Sequence, residues 1–176
     1  MFHSGALVDV FNACFLLKQH TRLVGGAEEP LYIPQSGLEP AQVIFTRDYF
    51  ASALHEIAHW CIAGEARRKL QDYGYWYAPD GRTAQQQNEF EKVEIKPQAL
   101  EWIFNAACGH RFRVSADNLM AGLGASEQFK RDIYQQVMRY CKQGLPSRAA
   151  IFAQALSDKY KRPEFLCADY FVCAQL

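Results

Sequence analysis

Over residues 6–17 the apolar side chains Leu7, Val10, Phe11, Cys14 and Phe15 recur three and four positions apart, which predicts an amphipathic helix. The period then changes. Short runs at 21–24 (TRLV), 30–34 (PLYIP) and 42–46 (QVIFT) are interrupted by Gly25-Gly26, Pro34, Gly37 and Pro40, and they read as strands separated by turns. Asp48 is placed to cap a helix over about 49–63 that ends near Gly64. EARRKLQDYG at 65–74 predicts a second helical stretch closing near Gly74. Residues 73–83, YGYWYAPDGRT, cannot continue it, because Pro79-Asp80-Gly81 spells a turn.

Helix is favoured again from Ala84 to Ala107, with Pro97 expected to break or kink it unless it opens a new helix at its first turn. RFRVS at 111–115 reads as one more strand. From Ser126 onward the chain is mostly helical, with breaks at Gly144-Leu145-Pro146 and Pro163. There is no internal repeat and no low-complexity segment. The pattern predicts one α+β domain over residues 1–176, a small mixed sheet built early and surrounded by helices.

Composition narrows the function classes. Of 176 residues 49% are apolar and 22% charged, and the formal net charge is zero. Without a basic excess to neutralise phosphates, no direct nucleic-acid partner is expected. No apolar run is long enough to span a membrane. The N-terminal MFHSGALVDVFNACFLLKQH carries Asp9 and Asn12 and lacks a basic leader, so no signal peptide is expected and the protein is assigned to the cytoplasm. The six cysteines, Cys14, Cys61, Cys108, Cys141, Cys167 and Cys173, show no C-x-x-C spacing and are expected to be reduced, small core residues.

The chemistry begins at His55-Glu56-Ile57-Ala58-His59. Two histidines four apart on a helix share a face, so both imidazoles can reach one ion, while Leu54, Ile57, Ala58 and Cys61 bury the rest of the helix. Two histidines leave an ion under-coordinated, so a third ligand is expected downstream. Glu89, Glu91, Glu94 and Glu101 are the candidates. Glu94 is preferred because it lies just before the Pro97 break and the apolar run after it would anchor the segment; Glu91 is the reserve. Such a site admits two chemistries. With zinc, Glu56 would activate a water for hydrolysis, as in the zincin peptidases. With iron(II), the same three ligands suit a non-haem oxygenase. Spacing alone favours the peptidase.

Tyr73, Tyr75, Trp76 and Tyr77 crowd into five residues beside Pro79-Asp80-Gly81-Arg82. These rings either pack on the core or form a wall for a long cationic side chain, with Asp72, Asp80 and Glu89 as nearby acids. His3, His20 and His110 are taken as incidental, and Arg67, Arg68 and Arg82 as solvated.

Three segments in order, HWCIAG at 59–64, DYGYWYAPDGR at 72–82 and VEIKPQAL at 93–100, resemble the bacterial elongation factor P hydroxylases. The resemblance is dense over about 52–104 and looser over roughly 8–165. It implies hydroxylation of a lysine of elongation factor P that already carries a β-lysyl group. It also implies a two-His, one-Glu iron(II) site at His55, His59 and Glu94, O2 as co-substrate, and a zincin-like fold similar to a metal-binding bacterial ribonuclease, with the metal on a central helix; another divalent metal could occupy the site. Under this reading Tyr73, Tyr75, Trp76, Tyr77 and Asp80 hold the modified side chain, and Glu56 orients a water or a ligand. A zinc-dependent hydrolase, peptidase or nuclease, is the alternative, and a non-catalytic domain docking elongation factor P is a third. No signature for 2-oxoglutarate or pterin binding is visible.

Overall fold

A computed structural model describes residues 2–75, 81–115 and 124–176. Five α-helices and three strands run in the order α1 (Ser4–Gln19), β1 (Thr21–Ala27), β2 (Leu31–Ile33), β3 (Ala41–Thr46), α2 (Phe50–Ile62), α3 (Ala84–Cys108), α4 (Glu127–Gln143) and α5 (Ser147–Tyr160). The sheet is mixed, as expected. Central β3 pairs parallel with β1, Leu23 opposite Val43, and antiparallel with β2, Tyr32 opposite Val43. Alternation along β3 buries Ala41, Val43 and Phe45. At the β1 irregularity beside Phe45, Gly25 is required: a Cβ there would lie 2.6 Å from the Phe45 ring.

α2 is the central helix. It packs on β3, α1, α3 and α5, and its Ala53, Leu54, Ile57, Ala58 and Trp60 are fully buried. Burying Leu54 and Ile57 stabilises this placement by roughly 1.5–3 kcal/mol each. Around Trp60 the rings of Phe11, Phe15 and Phe152 close the core, with Phe11 and Phe15 centroids 5.1 and 4.7 Å from it. From α5, the Arg148 guanidinium lies 4.7 Å from the Trp60 ring and donates to the carbonyls of Cys61 and Ala63, satisfying the last turn of α2.

Several expectations need correction. Asp48 does not cap α2; Tyr49 holds that position without a side-chain bond, while the Ser52 hydroxyl accepts from the Thr46 amide and secures the entry. Residues 65–74 form only two short 3-10 turns, Arg67–Lys69 and Gln71–Gly74. Contacts with β2 override the local helix preference there, because the Asp72 carboxylate takes the free Tyr32 amide at 2.8 Å and Tyr73 stacks on Tyr32. Pro97 neither ends nor divides α3, which starts at a Thr83–Gln86 capping box and runs through it. The halves on either side of Pro97 bury one shared face, which outweighs the single amide bond lost. RFRVS is no strand; Ser115 is held by the Gln98 side chain, whose oxygen accepts its amide at 3.1 Å and whose nitrogen donates to its carbonyl. Phe112 stacks on Trp102 at 5.6 Å.

All six cysteines are free. Cys61 and Cys108 are core residues as expected, but Cys167 is exposed. Among the described residues no helix is long and apolar enough to cross a membrane.

Candidate metal centre

α2 turns His55 and His59 toward α3, and α3 answers with Glu94 and Glu101. The Nε2 atoms of the two imidazoles are 3.1 Å apart. Glu94 Oε2 lies 3.4 Å from His55 Nε2, and Oε1 lies 3.1 Å from His59 Nε2. A metal with N and O ligands at about 2.1 Å gives ligand–ligand edges of roughly 3.0–3.4 Å, octahedral to tetrahedral. Each of these distances lies in that range, the two carboxylate oxygens facing different histidines. Among the described residues these three form a group that could hold a metal ion.

Two further observations fit a cation. Glu94 Oε1 is buried with His59 Nε2 3.1 Å away, yet no contact among the described residues has hydrogen-bond geometry, although such an atom is expensive to leave unsatisfied. Oε2 by contrast accepts from Gln98 Nε2 at 3.3 Å. Three carboxylates, Glu56, Glu94 and Glu101, also surround only two imidazoles, leaving excess negative charge in a poorly solvated place. Without a metal this charge acts on the histidine: burial opposes a charged His55, but Glu94, Glu101 and Glu56 outweigh it and push the imidazole up to about 10. Burial likewise disfavours the Glu94 anion, yet His59 and His55 hold it down at about 2. Glu101 and Glu56 are raised, in both cases mainly by burial.

Glu101 does something the spacing does not reveal. Its Oε2 is 2.8 Å from His55 Nδ1, so that nitrogen carries the proton and Nε2 turns its lone pair toward Glu94 and His59. Glu91, the reserve ligand, is occupied elsewhere: it accepts from the Ser126 amide at 3.0 Å and its hydroxyl at 2.6 Å, bracing the start of α4. Exposed Glu89 pairs with Lys92. The signal that would have found this arrangement is a seam on α3. Gln87, Glu91, Glu94, Gln98, Glu101 and Asn105 recur at intervals of four and three, and all are buried. The last pairs with His110, whose Nδ1 lies 2.6 Å from the Asn105 oxygen, so His110 is structural.

Glu56 is partly buried and within electrostatic reach of both histidines and both acids. Of the aromatic loop, Tyr73 is 6% exposed and stacked on Tyr32, whereas Tyr75 is 46% exposed with the Arg67 guanidinium 4.0 Å from its ring centre. Trp76, Tyr77 and Asp80 lie outside the described residues. Arg82 is not solvated: it is 3% exposed, bonds the Gln87 oxygen at 2.7 Å and lies over Phe90. Arg67 is committed as well, donating to the Tyr73 carbonyl at 3.0 Å.

The fold and site define an α+β protein with a partly buried His-His-Glu group that could hold a metal ion. The chain belongs to the elongation factor P hydroxylase family, whose model matches residues 10–171, from α1 to beyond α5. It is 51% identical over 155 residues to the elongation factor P lysine hydroxylase of Haemophilus influenzae, a match covering 88% of this chain and 87% of that protein.

Proposed function

We propose that this chain is an iron(II)-dependent protein hydroxylase acting on the β-lysyl-modified lysine of elongation factor P, with O2 as co-substrate and His55, His59 and Glu94 as metal ligands. The observation that carries the metal part is the convergence of three ligand atoms around a buried Glu94 oxygen with no other partner among the described residues. Family membership favours hydroxylation over the hydrolysis that the spacing alone suggests.

Iron(II) held by these residues would supply the chemistry that places one atom of O2 in a C–H bond, the second atom leaving as water with two electrons and two protons from an external reductant. The chain's own residues prepare for it. Glu101 fixes the His55 tautomer through Nδ1. Gln98 holds one Glu94 oxygen, leaving the other beside His59. Glu56, its proton affinity raised by burial, orients a bound water or ligand beside the site. Tyr73, Tyr75, Trp76, Tyr77 and Asp80 are the residues assigned to bind the long cationic side chain, and the exposed Tyr75 ring already receives one cation from Arg67.

The test is anaerobic loading with iron(II) or zinc, addition of O2 with ascorbate as two-electron reductant, and mass spectrometry of β-lysylated elongation factor P. One added oxygen atom with iron and none with zinc is expected. Oxygen added with zinc alone refutes the iron assignment, and cleavage of the factor returns the function to hydrolysis.

A further inference from the structure

Tyr73 holds a hydroxyl that the fold leaves unused. Its ring lies against Tyr32 with centroids 4.3 Å apart and planes 16° from parallel, and the residue is 6% exposed. Every other polar atom of the residue is bonded. Its amide donates to the Leu70 carbonyl at 3.1 Å, and its carbonyl accepts from Arg67 at 3.0 Å. The phenolic oxygen alone is buried without a hydrogen-bond partner among the described residues. Packing does not require it, since phenylalanine would make the same stack without desolvating a hydroxyl.

The backbone carrying this ring is also held in an unfavourable shape. Asp72 and Tyr73 have φ of 48° and 58°, a left-handed region that side chains with a Cβ avoid, and Gly74 continues it at 71°. The conformation persists because neighbouring groups pin it: Asp72 accepts from the Tyr32 amide, and the Tyr32 hydroxyl donates to the Arg68 carbonyl at 2.9 Å. Burial raises the Tyr73 phenol well above its usual range, and the carboxylate that adds most to this is Glu56, inside the His-Glu-x-x-His turn. The group is therefore a protonated donor within electrostatic reach of Glu56 and Cys61 on α2.

We infer that the Tyr73 hydroxyl is a recognition group, donating a hydrogen bond to an acceptor oxygen of the substrate side chain as it enters beside Glu56. This rests on the proposed substrate, which offers such an acceptor in the amide carbonyl joining the β-lysyl group to the lysine. An unmodified lysine ends in an ammonium and has none. A buried donor left unpaired by the wrong ligand discriminates strongly against it, so Tyr73 selects the modified side chain over the bare one.

Tyr73→Phe tests this in the manganese(II)-loaded protein, by calorimetric titration with modified and unmodified elongation factor P. The expected result is at least tenfold weaker binding of the modified factor, unchanged binding of the unmodified one, unchanged manganese affinity, and a melting temperature equal to or above that of the wild type. Equal binding of the modified factor by both proteins overturns the inference. A lowered melting temperature or lost manganese affinity also overturns it, because either makes the hydroxyl structural. Because the readout is binding, it stands apart from turnover: a wild-type protein that binds the modified factor but adds no oxygen refutes the hydroxylase reading and leaves the Tyr73 comparison decisive.

Discussion

Glu101 is the residue whose replacement most directly tests how the site is prepared. Its carboxylate is 5% exposed and its Oε2 lies 2.8 Å from His55 Nδ1. A hydrogen bond to a charged group of this kind contributes about 1.5–3 kcal/mol. At about 1.4 kcal/mol per tenfold, that corresponds to roughly 10–100-fold in metal affinity, the range found when outer carboxylates of metal-binding histidines are removed. Glu101→Gln keeps an acceptor for the Nδ1 proton and loses only the charge, so about a tenfold loss is expected. Glu101→Leu loses both and should approach a hundredfold. Anaerobic calorimetric titration with manganese(II) or iron(II) measures this, with circular dichroism as the control for folding. If both variants bind metal as the wild type does, Glu101 does not orient His55 for a metal. If Glu101→Gln abolishes binding while Glu94→Gln spares it, the two glutamates have been assigned the wrong way round.

Four further outcomes are expected. Glu94→Gln should abolish tight divalent-metal binding, whereas Glu91→Gln should leave it intact and instead lower stability to urea by about 1–2 kcal/mol, since Glu91 braces the Ser126 cap of α4. Metal loading should release about one proton near neutral pH, because the metal-free His55 holds its proton up to about 10; affinity then falls as pH is lowered, and titration in two buffers of different ionisation heat checks the release. For the metal-free chain the sign is opposite in direction: a value raised above the ordinary 6.5 adds stability that is complete below pH 6.5 and lost as pH rises through about 10, visible as a falling melting temperature. Arg148→Met should cost about 2–4 kcal/mol in chemical denaturation, by leaving the Cys61 and Ala63 carbonyls without their donor; an unchanged midpoint would show that water replaces the guanidinium.

Hydrophobic period makes much of the fold legible. Leu7, Phe11 and Phe15 announce α1, and Val43 and Phe45 with their turn residues announce the sheet, because local preference and tertiary burial agree there. Where they conflict the sequence misleads. The 65–74 segment has a helical composition, yet Asp72 and Tyr73 are claimed by Tyr32, which is 40 residues away from Asp72 in the chain. Pro97 is a breaker by local rules, yet it sits inside a helix whose two halves share a partner.

The site divides along the same line. His55 and His59 are legible because both ligands lie on one turn of one helix. Glu94 can only be preferred from the sequence, since choosing among four glutamates requires knowing which face of α3 meets α2. That face is nevertheless written in the chain, as polar residues at 87, 91, 94, 98, 101 and 105. A helix that repeats polar side chains at a buried spacing must give each a partner, or desolvation would expel it. Here Arg82, Ser126, Ser115, His55 and His110 answer five of the six positions. The exception is Glu94, where Gln98 satisfies one oxygen and the other, beside the His59 nitrogen, has no hydrogen bond among the described residues. A seam otherwise satisfied, with one carboxylate set against two imidazoles, is the arrangement expected when its partner is not part of the polypeptide. The prediction that Glu94→Gln removes the metal while Glu91→Gln on the same seam removes only stability is therefore a test of the seam itself.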